Sequence, residues 1–325
     1  MRLSRSILVA AILLLAGLHC QGAAAQEKYP ARPITMIVPF PAGGGVDAVA
    51  RIVADKLSAG LGQPVVIDNR GGAAGVIGTR LAAKAASDGY TLVMSHTGTV
   101  AINPTLYANP GYDPRKDFSP VGLIGTFQQM LVVHPALPIQ NVAALIAAAK
   151  REPGKLTYGS SGVGSTLHMA MELLLSQTGT QITHVPYKGG IGTPYNDLIG
   201  GRLDMHVVTF SNAQPLLKTD KLRALAVTSK ERHPGFPDVP TVAERLVPDY
   251  DVVSWLGFTS PPGLPPALRD RLYEAFRQAM ARPEVKSKLE ELGNDTRVST
   301  PAEFRARVEA DMVRWRPLAH VINQS

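Results

Sequence analysis

Short apolar runs alternate with helical stretches along nearly the whole chain, and this rhythm restricts the fold more than any other feature. Such alternation is the mark of parallel βα units. Ile34–Phe40 reads as a first strand, followed by Gly43-Gly44-Gly45 and a helix with Val46, Val49, Ile52, Val53 and Leu57 on one face. Pro64–Asp68 and Tyr90–Ser95 read as the next strands, with a short helix over Val76–Ala86 between them. A second series starts near Leu131. Its expected strands are Leu131–Val133, Leu156–Tyr158, Ile182–Val185, Asp204–Thr209 and Arg223–Thr228, with helices over Val142–Lys150, Ser165–Thr178 and Thr193–Ile199. Val253–Thr259 reads as one more strand, and amphipathic helices are expected over Pro265–Ala281, Glu284–Leu292 and Pro301–Val321.

Two series predict an α/β fold of two lobes around a cleft. The chain is expected to cross between them near Val121–Gln129 and to return near Asp249–Gly257. The expected division is 26–124 for the first lobe, 125–251 for the second and 252–325 for the return. Two crossings form a hinge, and hinge closure around a ligand is a common use of such an arrangement.

The first residues predict export. Arg2 and Arg5 precede an apolar run at Ile7–Leu18, and Ala23-Ala24-Ala25 offers a cleavage site before Gln26. That is the order of a secretory signal peptide over residues 1–25, with a run too short to span a bilayer comfortably. The expected compartment is the periplasm. Cys20, the only cysteine, falls within that segment; lipidation there is the alternative, poorly suited by Gly17-Leu18-His19. Without Cys20 the chain has no disulfide, and a buried core must hold it. The formal charge of +7 is spread without basic runs or aromatic-interleaved patches, which argues against a nucleic-acid partner.

Three loops carry the chemistry. Phe40-Pro-Ala-Gly-Gly-Gly-Val-Asp47 and Tyr158-Gly-Ser-Ser-Gly-Val-Gly-Ser165 each join a strand to a helix, and Val185-Pro-Tyr-Lys-Gly-Gly190 follows a further strand. Ligands of open α/β sheets sit beyond the carboxyl ends of strands. There, helix N-termini offer unpaired N–H groups and the positive end of a dipole. Two such loops on opposite lobes suit a ligand with two acceptor ends. The plain alternative is a pair of ordinary turns, with Asp47 and Ser165 stabilising helix ends. Gly43-x-Gly45-x-x-Ala48 with Asp68 also fits a dinucleotide fingerprint, so the competing reading is an exported or mis-targeted α/β enzyme. Export opposes it, since nicotinamide cofactors belong to the cytoplasm. Gly159-Ser-Ser161-Gly-Val163 fails the nucleophile elbow at its last position. His96, His134, His168, His184 and His206 stand singly, without metal-ligand spacing. No catalytic residue, metal or cofactor is expected.

Ordered motifs then point to one family. Tyr29-Pro-Ala-Arg-Pro-Ile34, Pro39-Phe-Pro-Ala-Gly-Gly44 with Asp47 and Arg51, Asp88-Gly-Tyr-Thr-Leu92, Gly162-x-Gly-Ser165 with His168, His184-Val-Pro-Tyr-Lys-Gly189 and Pro237-Asp-Val-Pro-Thr-Val242 follow one another through the chain. In this the chain resembles the Bug receptors, the extracytoplasmic solute-binding proteins of tripartite tricarboxylate transporters. The resemblance implies a type II periplasmic-binding-protein fold, a di-, tri- or aromatic carboxylate as ligand, membrane transporter subunits as partners, and a monomer without enzymatic activity. It implies that one ligand carboxylate meets the loop with Phe40, Ala42, Gly43, Gly44 and Asp47. From the other lobe it brings Ser160, Ser161, Gly164, Ser165 and His168, together with Tyr187, Lys188 and Gly189. His96, Thr97 and Thr209 would line the variable side. Two departures stand out: Gly72-Ala-Ala-Gly75 where the family usually has Gly-Ala-Gly-Gly, and Val207-Val-Thr-Phe-Ser-Asn212 where many members have Phe-Asp-Asn. The second tilts the expected ligand away from amino acids.

Overall fold

The computed structural model describes residues 29–187 and 192–319. Strands β1 (Ile34–Val38), β2 (Val65–Asn69), β3 (Thr91–His96) and β4 (Ser119–Phe127) enter a first sheet. The chain then builds a second sheet from β5 (Gln129–Val133), β6 (Thr157–Ser160), β7 (Thr183–Pro186), β8 (Met205–Thr209) and β9 (Arg223–Val227). It returns to the first through β10 (Ser254–Ser260) and β11 (Asn294–Thr296). The strand orders are β11-β4-β10-β3-β1-β2 and β7-β6-β8-β5-β9. β1 runs parallel to β2 and β3, while β10 lies antiparallel between β3 and β4.

Periodicity explains the layers. Met36 and Val38 of β1 and Leu92 and Met94 of β3 pack against Val49, Val53 and Leu57 of the helix Gly45–Leu61. In the second sheet, Leu131 and Val133 enter one apolar cluster while Met130 and Val132 enter another. A strand buried on both faces reads as a continuous apolar run, as this one does. The helix Pro301–Trp315 closes the hinge side, where Phe304 meets Trp255 edge-on with ring centroids 5.2 Å apart. Trp255 Nε1 donates to buried Asp311 at 2.6 Å, and Arg307 Nε donates to the same carboxylate at 3.0 Å.

The first crossing is shorter than the sequence predicts. Ser119–Phe127 is a full strand inside the first sheet, so only Gln128 separates β4 from β5. Gln129 Nε2 donates to Ser254 Oγ at 2.6 Å, tying the outgoing chain to the returning one. Thr228 Oγ1 donates to the Val252 carbonyl at 2.7 Å beside them. β11 and the helices Asn103–Leu106, Phe210–Leu217 and Val242–Arg245 were also unforeseen. At the other end, helical structure after Trp315 tightens into a 3-10 turn, Arg316–Leu318. The expected signal peptide lies outside the described residues.

Candidate ligand-binding site

The first glycine loop leaves β1 and opens the helix Gly45–Leu61, with Gly44 in extended conformation as its N-cap and no side-chain cap. Gly43 has φ +81, a left-handed value that a β-branched residue tolerates poorly. Ala42 and Gly43 are exposed, and Phe40 is half-buried. Buried Asp47 explains the loop's shape. Its Oδ2 accepts from Gly43 N at 2.9 Å and from Arg51 Nε at 3.0 Å, and its Oδ1 accepts from Asn69 Nδ2 at 3.0 Å. Asn69 Nδ2 also reaches the Phe40 carbonyl at 3.2 Å, and Arg51 completes the ring by donating to Asn69 Oδ1 at 3.3 Å. Burial opposes the charge on Asp47, but the bonds from Arg51, Gly43 and Asn69 outweigh it and hold the carboxyl below its ordinary range. Asp47 faces inward as the brace of the loop, and the Gly43 N–H is already engaged by it. The Ala42 and Gly44 amides remain the loop's candidates for an anion.

The serine loop leaves β6 and opens the helix Thr166–Thr178. Ser165 is the N-cap, its Oγ accepting from His168 N at 3.3 Å. Gly164 sits at φ +77 and donates its N–H to His168 Nδ1 at 3.2 Å. A neutral imidazole that accepts at Nδ1 carries its proton on Nε2, which here faces Glu172 Oε1 at 3.6 Å. Behind the loop His168 stacks on His184 with centroids 4.0 Å apart, and His184 stacks on Tyr158 at 4.8 Å. Burial lowers His168 to about 3 and His184 to about 4, so both rings are neutral near pH 7. Ser160 is fully buried, its hydroxyl 2.6 Å from His184 Nε2. Ser160 and His168 therefore shape the loop from behind, while Ser161 and Ser165 are only half-buried.

His96 bridges the two loops. Its ring meets Phe40 edge-on at 5.4 Å, and its Nδ1 accepts from Gly98 N at 2.9 Å. A methyl group on Gly98 would lie 3.8 Å from Thr166 Oγ1, at the start of the second-lobe helix. One on Gly164 would lie 3.4 Å from Asn103 Oδ1 and 3.3 Å from Leu106. The first loop, His96 and the serine loop thus form one continuous wall that crosses between lobes. Burial holds His96 near pKa 4, so it too is neutral.

The remaining expected residues divide. Thr97 is buried, and its Oγ1 accepts from Trp255 N at 2.8 Å, which ties it to the returning strand β10. Thr209 caps the helix Phe210–Leu217 in position only, its hydroxyl 3.4 Å from Ser211 Oγ. Tyr187 donates to Asp197 at 2.7 Å, and burial followed by that bond raises its phenol to about 12. Lys188 and Gly189 lie outside the described residues. Two polar residues escaped the sequence reading: half-buried Asn69, which ends β2 opposite Val38, and buried Asn103, whose Nδ2 donates to the Ala74 carbonyl at 3.0 Å. Both are placed by tertiary register, and neither lies in a motif. Among the described residues no group of histidines, cysteines and acids could hold a metal ion.

A family model described as the tripartite tricarboxylate transporter family receptor matches residues 49–323. The chain belongs to this family. Receptors of this tripartite tricarboxylate type are solute-binding proteins, not enzymes, which sets aside the dinucleotide reading of Gly43-x-Gly45. Protein BugT of Bordetella pertussis (strain Tohama I) is 37% identical over 290 residues, covering 89% of this chain and 89% of its own. The solved R. palustris protein Rpa4515 with adipate is 37% identical, with a TM-score of 0.82 over 91% of this chain and 98% of that one. MatC from Rhodopseudomonas palustris with bound malate is 30% identical, with a TM-score of 0.80 over 90% of this chain and 100% of that one. The receptor fold of two α/β lobes around a cleft is therefore established for this chain, and carboxylates are bound by its relatives.

Proposed function

We propose that this receptor captures a small di- or tricarboxylate between its lobes in the periplasm and delivers it, as a monomer, to a tripartite tricarboxylate membrane transporter. The observation that carries the reading is the wall running from Phe40 through His96 to the start of the helix Thr166–Thr178. It brings two helix N-termini from different lobes to one cleft, which suits an anion with acceptor groups at both ends. With the histidines neutral, the described residues of this wall offer N–H and hydroxyl donors in place of fixed cations. A charge-assisted bond of this kind contributes about 1.5–3 kcal/mol. The malate and adipate in MatC and Rpa4515 support the ligand class. In this reading residues 1–25 are the export signal, 26–127 with 254–325 make the first lobe and 128–253 the second, so the expected lobe boundary moves to the end of β4.

Calorimetric titration with adipate, malate, citrate and benzoate tests it. One or more of the aliphatic acids should bind with one-to-one stoichiometry, and native mass spectrometry should return the mass of a single chain. Binding of none of the four would overturn the ligand class.

A further inference from the structure

The wall between the two helix N-termini carries two polar groups without partners among the described residues. The first is on His96. Its Nδ1 accepts from Gly98 N at 2.9 Å, so the neutral ring carries its proton on Nε2. The turn that holds the ring is closed on itself: His96 N donates to Thr99 Oγ1 at 3.1 Å, and that hydroxyl donates back to the His96 carbonyl at 3.0 Å. Phe40 meets the ring edge-on and fixes its plane. The ring is only half-buried, and its Nε2–H has no acceptor among the described residues. The second group is Thr166, the first residue of the helix Thr166–Thr178 and 4% exposed. Its Oγ1 is buried with no hydrogen-bond partner among the described residues. A methyl group on Gly98 would lie 3.7 Å from His96 Cε1, the atom bonded to Nε2, and 3.8 Å from Thr166 Oγ1. The imidazole and the hydroxyl therefore flank one point, one from each lobe.

The ends of a dicarboxylate belong at the helix N-termini, where unpaired amides gather. His96 stands between those ends, so it meets the ligand one bond in from a carboxylate. A hydroxyl on the carbon beside that carboxylate suits both orphan groups, since it can accept one hydrogen bond and donate another. We propose that His96 and Thr166 bind the hydroxyl of an α-hydroxy dicarboxylate whose neighbouring carboxylate sits at the start of the helix Thr166–Thr178. The hydroxyl accepts from His96 Nε2 and donates to Thr166 Oγ1. The proposal deepens the receptor reading above and rests on it. An unsubstituted dicarboxylate leaves both groups unpaired in a buried place, and that loss is what selects against it. Because the pair lies on one wall only, it also distinguishes the two mirror forms of the ligand.

The test is calorimetry on the mature chain with two matched sets of acids: succinate against each enantiomer of malate, and glutarate against each enantiomer of α-hydroxyglutarate. In at least one set, one enantiomer should bind about tenfold or more tighter than both its mirror form and the unsubstituted acid. That ratio should fall toward one in Thr166→Val, which keeps the shape and removes the hydroxyl, and in His96→Leu. Thr166→Ser, which keeps the hydroxyl, should restore it, so a collapsed ratio cannot be ascribed to a damaged fold. Equal affinity for hydroxylated and unsubstituted acids in both sets overturns the proposal and leaves the receptor reading intact. A preference that survives Thr166→Val and His96→Leu overturns the assignment to these two residues. Binding of no acid in either set overturns the proposal together with the reading on which it rests.

Discussion

Asp47 shows how one buried side chain can set the shape of the loop that precedes it. Asp47→Ala removes the acceptor shared by the Gly43 N–H, Asn69 and Arg51, and a lost hydrogen bond to a charged group costs about 1.5–3 kcal/mol. Urea unfolding should register a loss of that order or larger, with a weaker ligand site as a consequence of the slack loop. Ser165→Ala is a different experiment. It removes a helix cap, which costs about 1 kcal/mol of stability. If its hydroxyl also meets the ligand, affinity falls by about one to two decades; calorimetry beside unfolding separates the two losses. The neutral histidines give a third test. His96, His168 and His184 sit near 4, 3 and 4 in the fold because burial opposes their charge, whereas in the unfolded chain they titrate near about 6.5. Below that value the unfolded chain binds more protons, so stability is complete above it and lost as pH falls toward 4. The slope approaches about 1.4 kcal/mol per pH unit for each histidine. Glu172, raised by burial, acts with the opposite sign, one group against these three and His206, which burial also lowers to about 4. Denaturation midpoints at pH 7, 6 and 5 should fall in that order, and a flat series would contradict the assignment.

Among the elements, the βα units were legible because their helices carry clean apolar faces and their strands are unbroken apolar runs. β4 was not, since Pro120, Gly122 and Gly125 interrupt Ser119–Phe127 with residues that ordinarily end strands. The structure supplies the reason for one of them. A Cβ on Gly125 would lie 2.1 Å from Asn294 Oδ1 and 2.5 Å from the Asp295 carbonyl, so β11 can lie beside β4 only over a glycine. Gly125→Ala should strip β11 from the sheet edge and cost about 1–3 kcal/mol, read as a lowered Tm without loss of the remaining β signal in circular dichroism. The same limit applied to the site. The glycine loops could be read because they lie within single segments. Asn69, which braces the first of them, could not, because strand register brings it there. The internal bond from the Gly43 N–H to Asp47 was not legible either, because an acid one helical turn on can face the loop or the solvent.

At the scale of the whole molecule, the described conformation has the serine loop against Asn103 and Leu106 of the first lobe. Small-angle scattering of the ligand-free chain should therefore give a larger radius of gyration than this closed conformation, and saturating ligand should bring it down to match. Equal values would mean that the lobes stay shut without ligand. The two crossings have a consequence of another kind. Phe127 and Ser254 are antiparallel partners in the first sheet, so everything from 128 to 253 leaves and re-enters at neighbouring points of one ladder. An insertion anchored this way behaves as a cassette: its two ends are already close enough to be joined by a hairpin turn. The part of the molecule that contributes the serine loop can then be exchanged, duplicated or redesigned while the first sheet and the loop braced by Asp47 keep their shape.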